Sequence, residues 1–216
     1  IVHLSAADAL DMIKEAKAEG LPLTVETCPH YLCLTAEEIQ DGETLYKCAP
    51  PIRENANRMA LWQRLKDGII DFVVSDHSPC TPNLKKLDTG NFTDAWGGIS
   101  SLQLGLSNIW TTGQDFGISL LDLSSWLSNR PSCFAGLSNR KGKIAKGLDA
   151  DFVVWNPEES FLLQPHDLRF RHKMSPYLGR NLKGRIHYTY LRGTLAYEQG
   201  AIIGQPKGKP IFHRGI

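Results

Sequence analysis

Two imidazoles and a carboxylate stand at the ends of apolar runs in this 216-residue chain. His3 follows Ile1 and Val2. His30 follows Leu23–Thr27 through Cys28 and Pro29. Asp76 closes the run Phe72–Val73–Val74–Ser75. A β-branched run bounded by polar residues and Pro79 is predicted to be a buried strand. In a parallel α/β barrel the C-terminal strand ends form the catalytic face, so three such groups predict one converging site. The set His3, His30 and Asp76 suits zinc or a similar divalent ion. A carboxylate beside a metal can also take a proton from bound water and later deliver it to a leaving nitrogen, the metal lowering the water's pKa to roughly 7. His77, next to Asp76, is a candidate to assist. His166, His172, His187 and His213 are read as ordinary polar residues.

The elements that must position these groups follow from the patterning. Ser5 is a candidate helix N-cap, with Asp8 in capping-box position. Ala6, Ala9, Leu10, Ile13 and Ala16 recur at helical spacing, and Gly20 ends that helix. Leu21–Thr27 then reads as a strand. A strand, a helix and a strand with short connections predict a parallel sheet. Thr35–Ile39 is predicted as a short helix and Tyr46–Cys48 as a short strand. Asn55 is predicted to cap a helix through Lys66, with Met59, Trp62 and Leu65 on one face, and Ile70–Ser75 is the next strand. The first eighty residues thus hold strand ends for about half of an eight-stranded barrel. Asn83–Asn91 reads as a surface loop and Trp96–Gly98 as a turn. Helices are expected within Ile99–Ile109, Ile118–Leu127 and Pro131–Gly136. From Lys141 the texture changes to strands and turns, with strands at Phe152–Trp155, Arg185–Leu191 and Thr194–Tyr197.

Composition excludes some partners. The formal net charge is +1, which gives no electrostatic reason to expect nucleic acid or an acidic membrane surface. No apolar run approaches the roughly 18–20 residues that span a bilayer. The five cysteines, Cys28, Cys33, Cys48, Cys80 and Cys133, form no CxxC pair and are read as reduced thiols of an intracellular protein. The chain opens on Ile1–Val2–His3, already inside a strand, and is expected to be the C-terminal part of something longer. Its compartment, cytoplasmic or organellar, is therefore left open.

The segments IVHLS (1–5), ETCPHYL (26–32), KCAPPIR (47–53) and DFVVSDHSPC (71–80) resemble the cyclic-amide hydrolases of the amidohydrolase superfamily. That group holds dihydroorotases, hydantoinases, dihydropyrimidinases and allantoinases. WGGISSLQ (96–103) and RHKMSPY (171–177) are most similar to the allantoinases. GKIAKGLDADFVVWNP (142–157) resembles the stretch that returns such chains to a small β-sandwich. The resemblance covers essentially the whole chain. It implies an α/β fold, with the C-terminal half of a TIM-like (β/α)8 barrel over 1–140. A β-rich segment over 141–216 would complete the sandwich.

The resemblance also implies a chemistry: metal-dependent hydrolysis of the hydantoin ring of allantoin to allantoate, in purine breakdown. His3 and His30 match histidines that bind one metal of a binuclear zinc centre. Asp76 matches the aspartate that binds the other metal and serves as general base and acid. A hydroxide bridging the metals would attack the ring amide. Ala49 matches a backbone contact to the substrate ring, where hydantoinases tend to carry Ser. Ser78, Gly97 and Gly98 match loops bordering the substrate. The family's His-x-His pair and carboxylated lysine have no counterpart in these 216 residues. The segment alone is therefore expected to be inactive, and a homotetramer is implied for the longer form. The alternatives are a hydantoinase, dihydropyrimidinase or dihydroorotase, a non-catalytic oligomeric scaffold, against which the three retained ligand residues count, and a truncated product without function.

Overall fold

The computed structural model describes residues 1–211. Leu10–Ala18 forms α1, preceded by a 3-10 turn at Ala7–Ala9. Its buried residues, Leu10 and Ile13, face the core at i, i+3 spacing. Strand β1 is short, Glu26–Thr27. It is followed at once by α2, Pro29–Cys33, with Pro29 in the first turn where its missing N–H costs nothing. Helix α3, Asn55–Lys66, buries Leu61, Trp62 and Leu65, and leads to β2, Phe72–Val73.

β1 and β2 pair in parallel, Glu26 opposite Phe72 and Thr27 opposite Val73. Backbone bonds carry the pattern outwards. Val74 N donates to Thr27 O at 3.0 Å, Leu4 N to Glu26 O at 2.9 Å, and Glu26 N to Ile1 O at 3.0 Å. Residues 1–4, 25–27 and 71–74 therefore run side by side with α1 and α3 as crossovers, the arrangement that parallel pairing requires. Asp71 fastens the other end of this layer. Its Oδ2 accepts from Lys17 Nζ at 2.6 Å and from Val25 N at 2.7 Å. A further parallel bridge joins His77 to Ile99.

Pro82–Lys85 forms α4, Gly105–Gly113 α5, Leu120–Ser124 α6 and Arg130–Phe134 α7. A π-helical stretch, Ser125–Asn129, joins the last two. It lies just before Pro131, which has no N–H to continue a regular ladder. Strands β3 (Phe152–Leu162), β4 (Asn181–Leu191), β5 (Thr194–Glu198) and β6 (Ala201–Ile202) make an antiparallel sheet in that order. α5 lies against β4. Ser107 Oγ donates to Gly184 O at 2.8 Å, and Trp110 meets Trp155 edge-on at 5.5 Å. Gly184 has φ +90°, and a Cβ there would come within 2.8 Å of the Trp155 ring, so only glycine fits.

Several local expectations fail for stated reasons. Ser5 caps no helix; it is buried, and its Oγ accepts from Arg53 Nε at 3.2 Å. Tyr46–Cys48 is not a strand, because Thr44–Tyr46 winds into a 3-10 turn. Met59 faces solvent, 48 % exposed, while Trp62 and Leu65 are buried. Within Asn83–Asn91 the backbone forms the end of α4, and Lys85 points inward.

Candidate active site

The three strand-end groups converge. His3 Nδ1 lies 3.9 Å from Asp76 Oδ2, and His30 Nε2 lies 3.9 Å from the same oxygen. Neighbouring strands bring them there, and Thr27 Oγ1, donating to Leu4 O at 2.7 Å, ties the His3 segment to β1. His3 and Asp76 both take left-handed backbone conformations, φ +54° and +41°. These are uncommon for L-residues and cluster at functional sites. Each turn redirects the chain at a strand end.

His30 is fully buried, and neither of its ring nitrogens has a hydrogen-bond partner among the described residues; the same holds for His3 Nδ1. Burial, then the proximity of His3, pushes His30 down to about 3, so its ring is neutral near pH 7 and has a nitrogen lone pair to offer. Orphaned buried polar atoms are rare in native proteins and call for an occupant. Two imidazoles and a carboxylate are the donor set of a divalent-ion site. On this chemistry the residues fit a metal ion.

Sequence reasoning missed two neighbours. Cys28 Sγ lies with the ligand atoms of His3 and Asp76 inside a 4.8 Å cluster. Glu26 Oε1 is 3.7 Å from His3 Nδ1. Glu26 and Cys28 are two apart in extended chain, so they share a face; that alternation was the available signal. Burial, reinforced by Asp76 and Glu26, raises the Cys28 thiol and keeps it protonated.

His77 does not join the cluster. Its Nδ1 accepts from Ser101 N at 3.0 Å and Leu102 N at 3.1 Å, and its ring lies 4.9 Å from Phe170. It shapes the following loop rather than assisting Asp76. Burial lowers its pKa.

Ala49, Ser78, Gly97 and Gly98 gather beside one another. A Cβ on Gly97 would lie 3.6 Å from Ala49 Cβ, and one on Gly98 would fall 2.4 Å from Ser78 Oγ. Gly98 N donates to Lys47 O, and Ser78 N to Ile99 O, each at 3.0 Å. A cavity of about 480 Å³ lies further along these loops, lined among others by His77, Cys80, Trp96, Phe170, Arg171 and His172 but by none of these four residues.

Comparison with known proteins agrees with this geometry. Residues 1–196 match the model of the amidohydrolase family. The chain is 51 % identical to the allantoinase of Arabidopsis thaliana over 203 residues, 93 % of this chain and 40 % of that one. It is 50 % identical to the allantoinase of Streptomyces avermitilis over 209 residues, 97 % of this chain and 46 % of that one. The structure of an L-hydantoinase (dihydropyrimidinase) from Arthrobacter aurescens superposes with a TM-score of 0.89 at 28 % identity, covering 94 % of this chain and 46 % of that one. The chain spans less than half the length of these relatives. It is a partial barrel followed by a sheet, and it belongs to the amidohydrolase family.

Proposed function

We propose that the protein to which these residues belong opens the hydantoin ring of allantoin by hydrolysis, giving allantoate. The observation that carries this reading is the convergence of His3, His30 and Asp76 around ring nitrogens that lack partners. Those three residues would hold zinc. A His-x-His pair and a carboxylated lysine, absent from these 216 residues, would complete a binuclear centre. When bound, the metal supplies Lewis-acid polarisation of a carbonyl and a water acidic enough to react at neutral pH.

The rest is work for the chain's own side chains. Asp76 accepts the proton of the attacking water as the new C–O bond forms. It then delivers that proton to the ring nitrogen as the C–N bond breaks. The backbone at Ala49 and the turn at Gly97–Gly98 orient the ring, and Ser78 borders it. In the same reading residues 1–140 belong to the barrel and 141–216 complete a small sandwich. Parallel pairing lies before that boundary and antiparallel pairing after it, among the described residues. The longer protein would assemble as a homotetramer.

A hydantoinase or dihydropyrimidinase is the second reading, favoured by the names of the structural neighbours. The full-length protein, assayed with allantoin, hydantoin, dihydrouracil and dihydroorotate, separates them. Allantoin is expected to exceed the others in kcat/KM by at least about 100-fold, or roughly 2.7 kcal/mol in transition-state binding. Turnover of another ring amide without turnover of allantoin would reject the proposal.

A further inference from the structure

Lys85 is a charged side chain only 3 % exposed, and none of the chemistry above uses it. Its Nζ donates to three backbone carbonyls: Lys47 O at 2.9 Å, Trp96 O at 3.0 Å and Thr44 O at 3.3 Å. Three N–H groups meet three acceptors, so the ammonium's donors are all used. Burying an ammonium carries a desolvation penalty, and a carboxylate partner is the common remedy. Here carbonyls from separate segments take that place.

Those segments carry the proposed substrate contacts. Lys47 is two residues from Ala49, and Trp96 directly precedes Gly97–Gly98. Lys47 O also accepts from Gly98 N at 3.0 Å, so the same oxygen joins Lys85 to the glycine turn. Trp96 N donates to Leu84 O at 2.7 Å, and Trp96 Nε1 to Ser78 O at 3.4 Å. The segments 44–49, 78–85 and 95–98 therefore meet at one ammonium. An apolar side chain of the same length would fill the space but join none of them.

We infer that Lys85 is a positioning residue for ring-amide binding, holding the backbone of Ala49 and of Gly97–Gly98 in register with Ser78. This rests on the proposed ring-opening activity. It is tested in the full-length protein with Lys85→Met. KM for allantoin should rise at least about tenfold while kcat stays within about threefold, since ring binding is loosened and Asp76 is untouched. Metal content should be unchanged. A wild-type KM in this variant, or a fall in kcat with KM unchanged, would overturn the inference. If Lys85→Met does not accumulate as folded protein, hydrogen exchange on the wild type decides. Peptides 44–49 and 95–98 should open at one common rate. Two independent rates would overturn the inference. That measurement needs no substrate, so a protein inert towards allantoin would defeat the proposed function and leave the Lys85 junction to be judged by its exchange rates.

Discussion

In the proposed reading Asp76 and His30 divide the work of the site, and each can be removed alone. Asp76 holds a left-handed conformation that Asn tolerates as well as Asp. Asp76→Asn in the full-length protein should therefore leave the backbone in place and remove the proton acceptor. Turnover is expected to fall by at least about 100-fold, the usual worth of a general base, with little change in thermal midpoint. Near-normal hydrolysis would exclude the role given to Asp76. His30 has two unpartnered nitrogens in a buried site, so His30→Ala removes the proposed ligand and leaves no new orphan. Metal per protomer, measured by elemental analysis, should drop along with the rate; unchanged stoichiometry would exclude His30 as a ligand. The convergence of these residues was legible in the sequence because each stands at or just beyond the end of a predicted strand. Cys28 and Glu26 were not, because their importance comes from a neighbour, His3, more than twenty positions away.

At the scale of elements, legibility followed how local the cause was. Helix α3 was placed within a residue or so, since its ends and buried face are written in twelve consecutive positions. Tyr46–Cys48 was misread as a strand: Thr44–Tyr46 winds into a 3-10 turn, and the carbonyls of Thr44 and Lys47 accept from Lys85 of a later segment. The polar run Asn83–Asn91 looked solvated because its one buried member is a lysine. That lysine gives a pH test. Burial pushes Lys85 from 10.5 down to about 8. It remains an ammonium at neutral pH, at a cost to the fold. Between about 8 and 10.5 the unfolded chain still holds a proton that the folded chain has shed, so this cost is relieved as pH rises. Buried thiols act oppositely. Cys48 is raised to about 11 and Cys33 to about 12, and their contribution, full below the unfolded value of 9.0, is lost as pH climbs through those values. The difference between wild type and Lys85→Met isolates the lysine. From pH 8 to 10.5 the wild type should gain stability relative to the variant, by at most about 1.4 kcal/mol per pH unit. Parallel denaturation curves across that range would reject the burial of an ionisable Lys85.

At the scale of the molecule, the partial barrel leaves apolar surface uncovered. Ile1 and Val2, on the outer side of the parallel layer, are 50 % and 64 % exposed, and Leu121, Phe134 and Ile144 are 82 %, 64 % and 89 % exposed. The outer edge of residues 1–4 also offers backbone groups that the described residues do not pair, and such an edge recruits another strand. Exposed apolar side chains, where they join into a patch, mark surfaces that are covered in the working assembly. No helix among the described residues is long and apolar enough to cross a membrane, so a bilayer-spanning helix is not what these side chains form. The relatives are more than twice as long as the part of them that this chain matches, and the additional length can supply both a cover and the remaining ligands. Expressed as these 216 residues, the chain should self-associate in sedimentation velocity and bind an apolar dye. It should also hold zinc at least about tenfold more weakly than the full-length protein, a loss of roughly 1.4 kcal/mol. A monodisperse monomer with full-length zinc affinity would mean that His3, His30 and Asp76 make a complete site by themselves. The binuclear arrangement implied by the family resemblance would then have to be given up for this protein.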